Sequence, residues 1–240
     1  MKIFLAGAGG VIGRRLVPLL IADGHEVVGT TRSTEKVAAL RALGAAPVVV
    51  DVFDAVALTR AVQVAAPQVV IHQLTDLSSA PGTPGFDAGL ERNAKLRIAG
   101  TRNLVAAAKA AGVRRLIAQS IAFVYAPKEG THVESDPLDR GATGARKSIV
   151  DGVVALEDAT LEMPEGIVLR YGLLYGPGTW FEREKRGKPA LHVDAAAHVA
   201  LLAVSKGKPG IYNIAEDDGA ISSEKAKREF GFDAKFRIKS

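Results

Sequence analysis

The segment GAGGVIG at residues 7–13 joins an apolar run, KIFLAGA (2–8), to a stretch with helical spacing, VIGRRLVPLLIA (11–22). The run is bounded by glycines and reads as a buried strand, so the glycines fall where a strand turns into a helix. The same unit then recurs along the chain. HEVVGTTR (25–32), PVVVDV (47–52), QVVIHQL (68–74), RRLIAQSI (114–121) and GIVLRYGLL (166–174) read as further strands. TEKVAALRALG (34–44), residues 54–65, a long stretch from 87 to 111 and residues 147–162 read as the helices between them. Right-handed crossovers place such helices on both faces of a parallel sheet, and strands covered on both faces need no polar alternation. The expected fold is therefore α/β, a doubly wound parallel sheet of the Rossmann type. Pro18 inside the first helical run predicts a kink or a late helix start there. Beyond Gly178 the pattern is less regular, with a helix at 192–205, a strand at 211–216 and a short helix at 222–232. That part reads as a small C-terminal substrate lobe packed on the same core, which divides the chain into 1–178 and 179–240.

Composition narrows the chemistry. The chain has 48% hydrophobic but only 5% aromatic residues, so its core is aliphatic. It has no cysteine, which excludes disulfides, thiolate catalysis and thiolate-bound metals and suits a cytoplasmic protein. The net charge is +5, but the basic residues are spread out. Their one cluster, FEREKRGK (181–188), contains two glutamates and no aromatic ladder, so it reads as a solvated surface and no nucleic-acid partner is expected. No apolar run is long enough to span a membrane. The expected partners are a small-molecule substrate and, at most, a second copy of the chain in a homodimer.

Gly7, Gly10 and Gly13, with Val11 and Ile12 before the last of them, form a loop through which backbone can approach a pyrophosphate. The helix N-terminus behind it supplies N–H donors and the positive end of a dipole, so a dinucleotide is expected there. The end of the second strand selects among dinucleotides. An acid there would hold the adenosine ribose 2′-hydroxyl, but GTTRSTEK offers Arg32, with Ser33 and Lys36 close by. A guanidinium pairs with a 2′-phosphate, so NADP is expected, with NAD as the alternative. Asp51, with Val52 beside it, is placed to hold the adenine amino group unless it caps a helix, a role open to Asp54.

Taken in order, these motifs resemble the extended short-chain dehydrogenase/reductase family, the NAD(P)-dependent epimerases and dehydratases. The resemblance is carried by the glycine loop, VDVFD (50–54), VVIHQLT (69–75), the run from Asn93 to Leu104, RRLIAQSIAFVY (114–125), LRYGLLYGPGT (169–179) and HVDAAAHVALLAV (192–204). It implies that Gln73, Leu74 and Thr75 pass beneath the cofactor and that Tyr171 and Leu173 lie at its nicotinamide face. It also implies that Ser120 orients a substrate oxygen and that Lys147 holds the nicotinamide ribose, with Asp151 one turn on. The family keeps a tyrosine four residues before that lysine, and here Thr143 stands in its place. A threonine hydroxyl is too weak an acid to replace a phenol. Tyr125 or water is then expected to supply a proton. The stretch between Trp180 and His192 is short for the family, either because the lobe is trimmed or because part of it lies outside this chain. The implied activity is that of an epimerase/dehydratase-like oxidoreductase on a nucleotide sugar or another small carbonyl or hydroxyl compound. The alternative is a non-catalytic NADP(H)-binding sensor. His72 reads as a core histidine, and His192 with Asp194 as a helix start; no metal is expected.

Overall fold

The computed structural model describes residues 1–77 and 79–238. Seven parallel strands form the main sheet. In chain order they are β1 (Lys2–Ala6), β2 (Glu26–Thr31), β3 (Ala46–Val49), β4 (Val69–His72), β5 (Arg115–Ile121), β6 (Glu165–Tyr171) and, last, β9 (Gly210–Ile214). Their spatial order is β3-β2-β1-β4-β5-β6-β9. The expected doubly wound Rossmann-type sheet is the fold of the chain.

The strands show no polar alternation because each side of the sheet has its own core. Ile3 and Leu5 of β1 enter one layer with Leu16 and Leu20 of α1 (Gly13–Ala22), Val199 of α7 (Val193–Leu202) and Phe230 of α8 (Glu224–Phe230). Phe4 and Ala6 enter the other layer. They meet Leu58 of α3 (Ala55–Ala65), Leu104 of α5 (Thr101–Ala110) and Leu156 of α6 (Gly144–Leu161). Between β2 and β3 runs the short α2 (Val37–Ala42). Helix α1 starts at Gly13, so Pro18 does not mark its beginning but lies inside it, on the exposed side.

Three expectations are refined. The long helix over 87–111 is two helices, α4 (Phe86–Lys95) and α5, joined end to end by a π-helical turn at Leu96–Gly100. The sixth strand breaks at Gly172. There a side chain's Cβ would lie 2.8 Å from the Pro189 carbonyl oxygen. Beyond it, β7 (Leu173–Tyr175) leaves the main sheet and pairs in parallel with β8 (Ala190–His192). Finally, the stretch after residue 178 both builds that small sheet and returns to the core, since β9 is the edge strand beside β6. Ser78, in the expected loop after the fourth strand, lies outside the described residues.

His72 ends β4 and is fully buried. Its Nδ1 accepts from the Leu74 N–H at 3.2 Å, so its proton sits on Nε2, which meets Thr101 Oγ1 at 2.9 Å. Burial, reinforced by the nearby Arg97 guanidinium, lowers its pKa from 6.5 to about 4. Below pH 6.5 the unfolded chain therefore binds a proton that the folded chain refuses. The stability this neutral imidazole allows is complete above pH 6.5 and falls by about 3 kcal/mol as the pH drops to 4. Glutamine keeps one donor and one acceptor but does not titrate. Urea unfolding of His72→Gln should accordingly show a flatter loss of stability between pH 6.5 and 4 than the parent. Parallel curves would place the acid sensitivity elsewhere.

Candidate active site

The order in which strands are added to the sheet reverses between β1 and β4, and a crevice opens at the carboxyl ends of those strands, where α/β sheets bind ligands. Gly7 leaves β1 with φ +93°, and a Cβ there would lie 2.7 Å from the Gln73 carbonyl, so only glycine lets the loop pass β4. The Gly10 N–H donates to the Gly7 carbonyl at 3.0 Å and closes the turn. At Gly13 a Cβ would overlap that same carbonyl oxygen, so α1 can begin hard against the loop.

A cleft of about 150 Å³ runs from this loop to the end of β2. Gly7, Gly10, Arg32, Val52, Leu74 and Thr75 line it, joined by Lys36. None of its lining residues is acidic, and its two cations stand at the β2 end. Arg32 is half exposed and lies 3.5 Å from Asp76. Gln73 is buried, and its Oε1 has no hydrogen-bond partner among the described residues. An orphaned acceptor, a loop only glycines can form and a pair of cations together fit a phosphorylated dinucleotide. Two expected residues stand outside this wall. Ser33 precedes a 3₁₀ turn and its N–H donates to Thr31 Oγ1 at 3.1 Å. Asp51 is exposed and accepts from the Phe53 N–H at 2.9 Å, while Asp54 caps α3 through the Ala57 N–H.

Gly10, Gln73 and Thr75 also line a second, larger cavity of about 370 Å³, so the two spaces meet beneath the loop. Val11, Ile12, Tyr171 and Leu173 lie in its wall. The Tyr171 hydroxyl is buried and donates to the Ala196 carbonyl at 3.2 Å. Burial raises its pKa well above the ordinary phenol value.

The three expected catalytic residues are not brought to this cavity. Successive residues of a strand face opposite sides. Gln119 and Ile121 face the cavity, and Ser120 between them faces away. Its hydroxyl donates to Glu157 Oε1 at 2.7 Å. The Tyr125 hydroxyl is equally committed, accepting from Arg170 at 2.7 Å and donating to Asn213 Oδ1 at 2.6 Å. Burial raises its pKa. Lys147 projects outward with 57% of its side chain exposed, paired with Asp151 at 2.7 Å. The residue that α6 presents to the cavity is Ile149. Thr143 is the N-cap residue of α6, without a side-chain capping bond. His192 Nδ1 accepts from the Asp194 N–H at the start of α7, and Asp194 pairs with Arg15 at 2.8 Å.

Sequence reasoning passed over Gln119, Ile121, Ile149 and Arg97, all in the cavity wall. Strand period would have found the first two, since Ser120 and its neighbours cannot share a face. Arg97 carried a signal as well: with Asn93 and Thr101 it forms a polar i, i+4 row on a helical face whose other members are apolar.

A family model described as NAD(P)H-binding matches residues 7–154. The chain belongs to this NAD(P)H-binding family. It is of the extended short-chain dehydrogenase/reductase type. A 3-diazoavenalumate denitrifying reductase of Streptomyces sp. is 38% identical over 93% of this chain and 79% of its own. A 2-alkyl-3-oxoalkanoate reductase of Stenotrophomonas maltophilia is 28% identical over 88% of this chain and 67% of its own. Among solved structures, the UDP-glucose 4-epimerase of Thermotoga maritima, determined with UDP-glucose, superposes with a TM-score of 0.77. It is 20% identical, with 99% of this chain and 94% of that one covered, a likeness of fold.

The geometry separates the cofactor roles of two cations in this NAD(P)H-binding protein. Arg32→Ala should weaken NADPH about tenfold or more, the scale of a lost charged hydrogen bond, and leave NADH within about twofold. Lys147→Ala removes only an exposed i, i+4 pair and should leave NADPH affinity within about twofold. Calorimetric titration of both cofactors decides both points. Equal losses for NADH and NADPH in Arg32→Ala would remove the argument for a 2′-phosphate contact.

Proposed function

We propose that this NAD(P)H-binding protein is an NADPH-dependent reductase. Its substrate is a small apolar or aromatic molecule reduced without a proton from a tyrosine of this chain. One observation carries the proposal: among the described residues, the cavity that adjoins the cofactor cleft presents no free phenol, the acid this chemistry ordinarily uses. No carboxyl, imidazole, lysine or thiol is among its lining residues, and its one phenol is the committed Tyr171. Where a donor would face the ligand, the walls present Ile121, Phe123 and Ile149.

A carbonyl that accepts hydride becomes an alkoxide and needs an acid of matched pKa beside it. A substrate that ends its reduction by losing a neutral group does not. NADPH, when bound, supplies the hydride pair; with an arenediazonium substrate the C–N bond breaks, dinitrogen leaves with that bond's electrons, and the hydride pair forms the new C–H bond. The denitrifying activity in the name of the Streptomyces relative supports this class. The protein's part is positional. Gly10, Gln73 and Thr75 line both spaces, while Phe86, Trp180 and Phe181 add aromatic surface to the cavity wall.

The test is isotopic. NADPH deuterated at the nicotinamide C4 is incubated with a carboxylated arenediazonium salt, and the product is read by mass spectrometry against a protein-free control. The expected result is one deuterium per dinitrogen lost, at least about a hundredfold faster than the control. Ser120→Ala should retain that rate within about threefold, since its hydroxyl faces Glu157. Cofactor binding with no deuterium transfer to diazonium, carbonyl or enone substrates would favour the sensor reading instead.

A further inference from the structure

We infer that Arg97 is the receptor for an anionic group of the substrate, so that the cavity takes a small aromatic or conjugated carboxylate. This deepens the reductase reading and rests on it for the placement of substrate beside the cofactor. Arg97 belongs to the π-helical turn between α4 and α5 and lines the cavity while remaining only 5% exposed. Among the described residues its guanidinium makes no hydrogen bond and no ion pair. Every other buried charge of this region is matched. Glu157 is the nearest acid to influence Arg97, but its two oxygens are taken by Arg170 and Ser120. The cavity wall contains no acidic residue, so no partner waits in it.

A buried cation without a counter-charge is costly, and burial holds the Arg97 pKa down at about 10, still protonated at neutral pH. The missing partner is an anion supplied from outside the chain. The fork of a guanidinium matches a carboxylate in two parallel bonds, which would also fix the orientation of a planar ligand. Gln119 stands in the same wall, and its amide likewise makes no hydrogen bond among the described residues. The cofactor's own phosphates are the competing anion, since Gly10, Val11 and Ile12 of the loop line the same cavity, although Arg97 is absent from the cleft that runs to Arg32.

The probes are 4-hydroxycinnamate and its amide, titrated calorimetrically into the protein saturated with NADPH. The acid should bind at least tenfold tighter than the amide. In Arg97→Gln that preference should vanish through loss of the acid alone, and in Arg97→Lys, which keeps the charge without the fork, part of it should survive. Equal binding of acid and amide by the unaltered protein would overturn the inference without any variant. So would an undiminished preference in Arg97→Gln, or a loss of NADPH affinity in its place, which would assign Arg97 to the cofactor. Turnover is not needed for this readout. A carboxylate preference without deuteride transfer would leave the anion site standing and remove the reductase.

Discussion

Glu157 and Arg170 form a two-pronged ion pair at 2.8 and 2.5 Å, each side chain only 3% exposed, and the layout of the site depends on it. Burial opposes the charge of Arg170, but the Glu157 carboxylate overrides it and holds the guanidinium protonated. Removing either partner of such a pair strands the other charge and costs about 3–5 kcal/mol. The pair binds α6 to β6, and it recruits Ser120 of β5 and Tyr125 of the following segment, which in turn reaches Asn213 of β9. Because these polar groups turn inward to the fork, the residues alternating with them turn outward. The cavity therefore receives Gln119 and Ile121 from β5, and Ile149 from α6.

That consequence explains what could be read from the sequence and what could not. The strand–helix alternation was legible because apolar runs bounded by glycines have few other destinations in a chain of this composition. The cofactor loop was legible for a stronger reason, since Gly7 and Gly13 occupy positions where a Cβ meets backbone. The boundaries that slipped were those set by tertiary pairing: Gly172 looks like strand interior until β7 finds β8. The catalytic assignment rested on motif position, and motif position does not say which way a side chain points. Ser120 and Tyr125 carry hydroxyls of the right kind, yet the buried Glu157–Arg170 fork claims them with charge-assisted bonds. Lys147 stands at the position where the family resemblance implies a cofactor lysine, but α6 turns Val150 and Val153 into the core, and the lysine faces solvent with Asp151.

The two halves of the crevice are built on opposite principles. The cofactor half is defined largely by backbone, glycines and a helix start, none of which specifies a reaction. The reaction half is defined by side chains on three separate elements, the π turn, the end of β5 and the first turns of α6.

The π turn is the element in which these constraints meet. A straight α-helix from Phe86 to Ala110 would hold one residue every 100° on a single continuous face. The extra residue of a π turn shifts that face within the helix and carries functional side chains there often. Before it, Asn93 accepts from the Asp76 N–H and fixes the loop that bears the acid facing Arg32. After it, Thr101 meets His72 at the end of β4. Arg97 lies between, one turn from each, with its charge in the cavity. Burial first, and the nearby Arg97 charge second, hold His72 neutral, so the end of β4 stays uncharged beneath the junction of cleft and cavity. A neutral strand end, a single buried cation and walls of isoleucine and phenylalanine leave one strong electrostatic direction in the chamber. A ligand carrying one negative charge would be oriented by it, with its uncharged part lying among the apolar walls.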